Sequence, residues 1–225
     1  MSKPEFDRFA DNYDHVLNGA MPRGFRADSY YADYKVELAA SLLGVDKPRL
    51  VLDFGCGSGR SLSRLAEMFP DAIIFGYDPS AASLAVAAKR APAARLFSDW
   101  DALAAYQFDL IFAANVFHHI EPSSRPGALL ACRSILSCNG SLMLFEHNPL
   151  NPLTRRVFER CPFDEGAQML TLKSAIRLAN DAGFNIAGCG YTLFFPYFLA
   201  WLRPLEPFIK RLPVGAQYYV HMVNP

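Results

Sequence analysis

Apolar runs alternate with amphipathic stretches through the middle of this 225-residue chain. Near-continuous apolar runs predict buried strands, and apolar residues at helical spacing predict the helices between them. The predicted strands cover 49–54, 72–78, 94–97, 108–115, 141–146, 184–195 and 215–223. The predicted helices cover 59–69, 80–90, 123–136 and 171–182. This alternation is typical of a parallel sheet with helices on both faces, so the predicted fold class is α/β.

The last part of the chain has a different pattern. Between the two final predicted strands, residues 194–213 are rich in aromatic residues and proline. We predict an insertion that packs over the carboxyl ends of the strands, with most of its aromatic side chains in the core. Covering a hydrophobic substrate, forming a homodimer and resting on a membrane surface all remain open as its role. Because no linker or repeat interrupts the chain, we predict a single domain over 1–225, with N-terminal lid helices over about 1–45.

Composition limits the classes of partner and compartment. Lys+Arg and Asp+Glu both number 22, and this balance argues against a nucleic-acid partner. The five cysteines form no CxxC pair and no Cys/His cluster has metal-ligand spacing, so we predict reduced thiols, a cytoplasmic location and no metal. The apolar stretch 191–202 contains Pro196 and is too short to span a bilayer, so no transmembrane segment is predicted.

Three glycines follow the first predicted strand in VLDFGCGSGR, at Gly55, Gly57 and Gly59. Glycine permits unusual backbone dihedrals and a close approach of a ligand to the backbone. Asp78 ends the next predicted strand, where an acidic residue can bind ribose hydroxyls. The alternative is that Asp78 only caps the helix predicted over 80–90. Arg60 stands where the dinucleotide fingerprint needs a small residue, so the fit to NAD is poor.

The pattern D-x-G-x-G-x-G, which begins at Asp53, resembles the first motif of class I S-adenosylmethionine-dependent methyltransferases. The resemblance implies S-adenosylmethionine as cofactor, with S-adenosylhomocysteine as product. It also implies a three-layer sandwich around a mostly parallel seven-stranded sheet. The expected strand order is 3-2-1-4-5-7-6, with the last strand antiparallel.

Further segments extend the resemblance and imply roles for individual residues. FDLIFAANVFHHI at 108–120 looks like the fourth-strand motif, and SDWD at 98–101 follows the third strand, where an acidic residue lies near the adenine. The N-terminal FDRFADNYDHVLN resembles a helix that covers the cofactor. The implied cofactor-binding residues are Tyr13, Asp53, Gly55, Cys56, Gly57, Gly59, Asp78, Pro79, Asp99, Trp100, Asn115 and Val116.

Two histidines are the predicted catalytic residues. The cofactor's sulfonium makes its methyl group electrophilic, so the protein mainly positions an acceptor, and a hydroxyl acceptor also needs a base. His119 follows the fourth predicted strand and His147 the fifth, both at the expected active end. Glu146 either positions a polar acceptor or binds nearby backbone groups.

The predicted function is therefore methyl transfer to a small-molecule acceptor, at oxygen. Two alternatives remain open at this point. One is a membrane-surface methyltransferase that acts on a lipid-linked or glycan intermediate. The other is a non-catalytic module that binds a nucleoside.

Overall fold

A computed structural model describes residues 19, 29–44 and 47–225 of the chain. Seven strands form one sheet in the order β3-β2-β1-β4-β5-β7-β6. The strands are β1 Leu50–Phe54, β2 Ile73–Tyr77, β3 Arg95–Phe97, β4 Phe108–Ala114, β5 Leu136–His147, β6 Asn185–Thr192 and β7 Gln217–Val223. The helices are α1 Tyr30–Leu43, α2 Leu62–Met68, α3 Ala81–Arg90, α4 Arg125–Ser134, α5 Pro152–Phe158, α6 Leu172–Asp181 and α7 Glu206–Ile209. Short 3₁₀ helices cover Asp101–Ala105, Phe117–His119, Pro162–Asp164 and Tyr197–Leu205.

The pairing of the strands confirms the expected order and direction. Strands β1 to β5 run parallel, whereas β7 runs antiparallel to both β5 and β6. Val51 of β1 pairs with Ile74 on one side and with Leu110 on the other. The strand order therefore reverses between β1 and β4, and the carboxyl ends of these two strands lie side by side. Ligands bind at such a switch point in open α/β sheets.

Apolar side chains cover both faces of the sheet, as the near-continuous apolar runs predict. Neighbouring residues point to opposite faces of a strand, so Leu52 and Val51 belong to separate hydrophobic clusters. Helices α4 and α6 complete the Leu52 cluster, while α1, α2 and α3 complete the Val51 cluster. This arrangement confirms the predicted three-layer sandwich.

Two strand boundaries differ from the prediction for local backbone reasons. Strand β5 begins at Leu136, five residues early, because Leu136 already pairs with Phe108 of β4, and the bulge before the next pair, at Ser141, contains Asn139 with a φ of 62°. Strand β6 ends at Thr192, because Leu193 turns the chain with a φ of 55°. A left-handed φ at a residue with a side chain is uncommon and is not visible in an apolar pattern.

The segment between β6 and β7 is tied to α1 by polar contacts. The buried Glu206 carboxylate accepts hydrogen bonds from the N–H of Leu193 at 3.2 Å, from the N–H of Phe194 at 3.1 Å and from the hydroxyl of Tyr34. The expectation that most aromatic side chains of this segment lie in the core was wrong. Tyr197, Phe198 and Trp201 are 43%, 52% and 73% exposed, respectively. No helix in the described part of the chain is long and apolar enough to cross a membrane.

Candidate functional site

A cavity of about 1640 Å³ lies beyond the carboxyl ends of β1 and β4. A pocket for one small molecule typically has roughly 300–1,000 Å³. This cavity therefore has room for two ligands side by side. Its lining comes from the glycine turn after β1, the ends of β2, β4 and β5, helix α1 and the residues that follow β6.

Each of the three positions in the turn is glycine for a different structural reason. Gly55 has a φ of +72°, and a Cβ there would lie 2.5 Å from a γ-carbon of Val116, so only glycine lets the two loops meet. Gly57 has a φ of +51°, and a Cβ there would enter open space. A Cβ on Gly59 would lie 2.9 Å from the Cβ of Ala87 in α3. Gly55 and Gly57 line the cavity, whereas Gly59 lies outside the lining and lets α3 pack closely.

Asp78 holds the glycine turn in place. Its Oδ2 accepts a hydrogen bond from Gly57 N–H at 2.9 Å, and its Oδ1 accepts one from Ser80 N–H at 2.8 Å. The side-chain cap of α3 is Ser80, whose hydroxyl accepts from Ser83 N–H at 3.1 Å. The alternative in which Asp78 only caps this helix is therefore wrong. A carboxylate has about four acceptor positions, so Asp78 can also accept hydrogen bonds from a ligand in the cavity.

Three aromatic rings wall the end of the cavity near β2 and β3. The Trp100 ring meets Phe54 edge-on at 5.6 Å and Tyr77 edge-on at 5.1 Å between centroids. Asp99 lies beside them and accepts a hydrogen bond from Asp101 N–H at 3.1 Å. An aromatic wall with a carboxylate at its edge suits a heteroaromatic base that carries an amino group.

A buried ammonium and a buried carboxylate face the middle of the cavity. Burial, followed by the charge of Arg60, lowers the pKa of Lys35 to about 8. Burial also raises the pKa of Asp53 to about 7, although the charge of Lys35 opposes this shift. Lys35 comes from α1 and Asp53 from β1, and both line the cavity. Two opposite charges in one desolvated site complement a zwitterionic amino acid group.

Glu146, at the end of β5, organises the loop that follows β4. This fully buried carboxylate accepts hydrogen bonds from Val116 N–H at 2.9 Å and from Phe117 N–H at 2.6 Å. Its other oxygen lies 2.6 Å from Nδ1 of His118. Of the two roles considered for Glu146, the structure supports the binding of nearby backbone groups. Glu146 does not line the cavity.

His118 is the charged member of a histidine cluster. Burial disfavours its charge, but the carboxylates of Glu146 and Asp164 outweigh burial and raise the pKa of His118 to about 9. Burial raises the pKa of Glu146, but His118 outweighs this effect and holds it at about 2. In the absence of a bound ion, the pair is therefore an imidazolium and a carboxylate, which satisfy each other away from water.

His119 and His147 surround this charged pair and line the cavity. Burial and the charge of His118 lower the pKa of His119 to about 3 and that of His147 to about 4. Both imidazoles are consequently neutral near pH 7. A neutral imidazole has one nitrogen free to accept a hydrogen bond from a hydroxyl group.

Known proteins resemble the chain in sequence and in fold. Residues 52–142 match the methyltransferase domain family. Trans-aconitate 2-methyltransferase of Acidovorax sp. (strain JS42) is 35% identical over 120 residues, which cover 47% of this chain and 45% of the relative. Malonyl-[acyl-carrier protein] O-methyltransferase of Legionella pneumophila is 30% identical over 150 residues, which cover 64% of this chain and 49% of the relative. The chain thus spans about half the length of these relatives or less.

The fold comparison includes a structure that contains the methylation product. Magnesium protoporphyrin IX methyltransferase from Synechocystis PCC 6803 with bound SAH has a TM-score of 0.65 at 16% identity, over 97% of each chain. The family match falls on the glycine turn and β4, and the whole sheet has the strand order of that class. Residues 52–142 thus match a methyltransferase domain, and the sheet is that of the class I S-adenosylmethionine-dependent methyltransferases. The predicted family, fold and cofactor class are thereby confirmed.

The methyltransferase domain gathers nearly all of the predicted site residues around one cavity. Gly59 lies outside the lining, and Tyr13 lies outside the described residues. The predicted residues that line the cavity are Asp53, Gly55, Cys56, Gly57, Asp78, Pro79, Asp99, Trp100, Asn115, Val116, His119 and His147. Their binding and catalytic roles stay predictions.

Several residues of the methyltransferase site were not found in the sequence. Lys35 belongs to a helix whose distance from the glycine turn along the chain gives no signal. Gln217 lies opposite His147 in the β5–β7 pair, and its Nε2 donates to Asn115 Oδ1 at 3.0 Å. The Oε1 of Gln217 is buried and has no hydrogen-bond partner among the described residues. Only the long-range strand pairing brings Gln217 to the cavity.

Proposed function

We propose that this protein transfers a methyl group from S-adenosylmethionine to an oxygen of a small-molecule acceptor. The observation that carries the proposal is the division of one cavity between two kinds of wall. One part offers the glycine turn, Asp78 and an aromatic wall, and the other offers two neutral histidines. In the reaction, the sulfonium–methyl bond breaks, an oxygen–methyl bond forms, and the hydroxyl proton leaves to water along its hydrogen bond to an imidazole.

The cofactor fits the first part of the cavity group by group. We assign the adenine to the wall of Phe54, Tyr77 and Trp100, with Asp99 beside its amino group. Asp78 would accept hydrogen bonds from the ribose hydroxyls. The methionine end would lie near Asn115 and Val116, where its ammonium and carboxylate meet the buried Asp53 and Lys35.

The acceptor would lie against the histidines. We assign to His119 the role of accepting a hydrogen bond from the acceptor hydroxyl, because its side chain lines the cavity and is 22% exposed. A neutral imidazole favours an acceptor that donates an O–H over one that brings only a negative charge. Tyr31, Phe194 and Phe195 line the same cavity and suit the apolar body of the acceptor. One of the two reported relatives is named as an O-methyltransferase.

The test is a screen for S-adenosylhomocysteine release with phenols, carboxylates, sugars and isoprenoid lipids as acceptors. Once an acceptor is found, the His119→Ala variant should lose about 10²–10⁴-fold in kcat and still bind S-adenosylhomocysteine. His221→Gln is the matched control, since His221 lies on β7 and bonds to Ser141 at 2.9 Å. Unchanged turnover in His119→Ala would remove the base from the mechanism. If none of the acceptors in the screen supports turnover, a nucleoside-binding module would be the better account.

A second candidate, methylation of an acceptor at a membrane surface, is favoured by the exposed apolar side chains. Nine of the eleven large apolar side chains exposed in the described part of the chain lie in two segments, 150–153 and 197–214. The side chain of Asn151 joins the two segments, because its Nδ2 donates to Val214 O at 2.7 Å. Leu153 and Val214 also line the cavity, so this apolar surface adjoins the site.

Cosedimentation with phosphatidylcholine vesicles, with and without phosphatidylserine, tests this second candidate. The double variant Trp201→Ser, Phe208→Ser should lose vesicle binding, whereas Leu130→Ser, at a residue 51% exposed on α4, should keep it. Absence of vesicle binding by the unchanged protein, together with a dimer in sedimentation velocity, would favour the homodimer instead. The cytoplasmic location stays a prediction.

A further inference from the structure

We infer that His118, His147 and Asp164 form a binding site for a divalent first-row transition metal ion, with zinc the best fit. One potential ligand atom from each of these side chains lies within 4.8 Å of the other two. The three residues come from the ends of β4 and β5 and from the 3₁₀ helix Pro162–Asp164. This inference does not depend on the proposed methyl transfer.

The spacing of one pair of these atoms agrees with tetrahedral coordination. Nε2 of His118 lies 3.3 Å from Oδ1 of Asp164. Ligand atoms bound tetrahedrally at about 2.0–2.1 Å from zinc are about 3.3–3.4 Å apart. A hydrogen bond between nitrogen and oxygen is usually shorter, at about 2.9–3.0 Å. Nε2 of His119 lies 3.4 Å from the same Asp164 oxygen, so a further imidazole adjoins the site.

The surroundings of His118 are those of a metal ligand. Its Nδ1 lies 2.6 Å from Glu146 Oε2, and Glu146 is fixed in turn by two backbone N–H groups. Metal-binding histidines usually donate their second ring N–H to such a carboxylate, which fixes the tautomer and the direction of the ring. His118 is thereby left with Nε2 as the atom that faces Asp164.

The donor set limits the kind of ion. Two imidazoles and one carboxylate suit zinc or iron, whereas magnesium and calcium prefer an all-oxygen set. Three protein ligands leave one tetrahedral position open, as in catalytic zinc sites. His147 lines the cavity, so the proposed metal site adjoins it.

The competing explanation is a hydrogen-bonded network with no ion, in which a protonated His118 bridges Glu146 and Asp164. The two explanations differ in metal content. The full chain is first treated with a chelator, which is then removed. The metal-free protein is titrated with Zn²⁺ in a calorimeter, and separately with Co²⁺ while the visible absorption is recorded. Cys138, the exposed cysteine, is replaced by serine in every protein so that its thiol does not bind metal.

The expected result is one Zn²⁺ per chain and a tetrahedral Co²⁺ spectrum without thiolate bands. Asp164→Asn and His147→Gln should each weaken Zn²⁺ binding by about 10- to 100-fold or more. His221→Gln should bind Zn²⁺ as tightly as the protein that carries only Cys138→Ser. No stoichiometric Zn²⁺ binding, or equal affinity in all four proteins, would overturn the inference. If Asp164→Asn fails to fold by circular dichroism, His147→Gln decides the outcome. S-adenosylhomocysteine binding is measured separately, so failure of the metal site is distinct from failure of the cofactor site.

Discussion

Replacement of Gly55 by alanine should destabilise the domain by about 2–5 kcal/mol. The new methyl group would lie 2.5 Å and 2.7 Å from the two γ-carbons of Val116, well inside normal contact distance. In addition, a φ of +72° costs a residue with a Cβ about 1–2 kcal/mol. Overpacking adds about 1–3 kcal/mol, because Val116 sits on a loop held by Glu146 and cannot easily move.

Gly57→Ala separates stability from ligand binding. Its φ of +51° brings the same dihedral cost, but its Cβ meets nothing within 4 Å. We expect a loss of about 1–2 kcal/mol in stability together with weaker binding of S-adenosylhomocysteine, because the added methyl group lies at the cavity wall. Gly44→Ala is the matched control, with a φ of +67° and open space at the end of α1, outside the cavity.

Urea denaturation gives the free energy of unfolding of each variant, and calorimetry gives its affinity for S-adenosylhomocysteine. We expect the largest stability loss for Gly55→Ala and a selective loss of affinity in Gly57→Ala relative to Gly44→Ala. Equal stability of Gly55→Ala and Gly57→Ala would refute the close contact with Val116. Equal affinity of Gly57→Ala and Gly44→Ala would refute the placement of the ligand against the turn.

Three further predictions concern buried polar groups. Affinity for S-adenosylhomocysteine, measured by calorimetry, should peak between about pH 7 and 8. Below this range Asp53, with a pKa of about 7, is protonated, and above it Lys35, with a pKa of about 8, is neutral. Asp53→Asn should abolish the acid limb of that profile, and an unchanged profile would contradict the charge pairing. Glu146→Gln should lower the free energy of unfolding by about 3–5 kcal/mol in urea denaturation, because it leaves a buried imidazolium without its carboxylate. Tyr34→Phe should lower the free energy of unfolding by about 1–3 kcal/mol and speed hydrogen exchange in residues 197–209, because it removes a hydrogen-bond donor to the buried Glu206. Unchanged exchange rates in these residues would contradict this role of Tyr34.

The sequence predicted the sheet well because its signals are local. Each strand of the sheet is an apolar run bounded by polar or glycine residues, and the resemblance at Asp53–Gly59 supplied the order of the strands. The errors at the boundaries arose where one residue adopts a left-handed φ, at Asn139 and Leu193. Asn139-Gly140 was expected to precede the fifth strand, but it forms a bulge inside that strand.

The residues of the site also fall into two groups: those that local sequence signals predict, and those that only long-range contacts bring to the site. The glycine turn, Asp78 and the histidines that follow β4 and β5 were visible because each directly follows a predicted strand. Gln217 and Asp164 were not, since one reaches the site through antiparallel pairing with β5 and the other through a 3₁₀ turn after α5. The exposure of Trp201 was also not predicted. An aromatic-rich segment predicts burial against some surface, but the pattern does not show whether that surface belongs to the same molecule or to another.

The most direct test of the account is a calorimetric titration of the unchanged protein with S-adenosylhomocysteine, with NADH as the comparison ligand. We predict saturable binding of one S-adenosylhomocysteine per chain and no heat with NADH. Asp78→Ala should weaken that binding by about 10- to 150-fold, as the loss of hydrogen bonds to a charged group requires, while its circular dichroism spectrum stays unchanged. No binding of S-adenosylhomocysteine by the unchanged protein, or tighter binding of NADH, would contradict the assignment of the cavity.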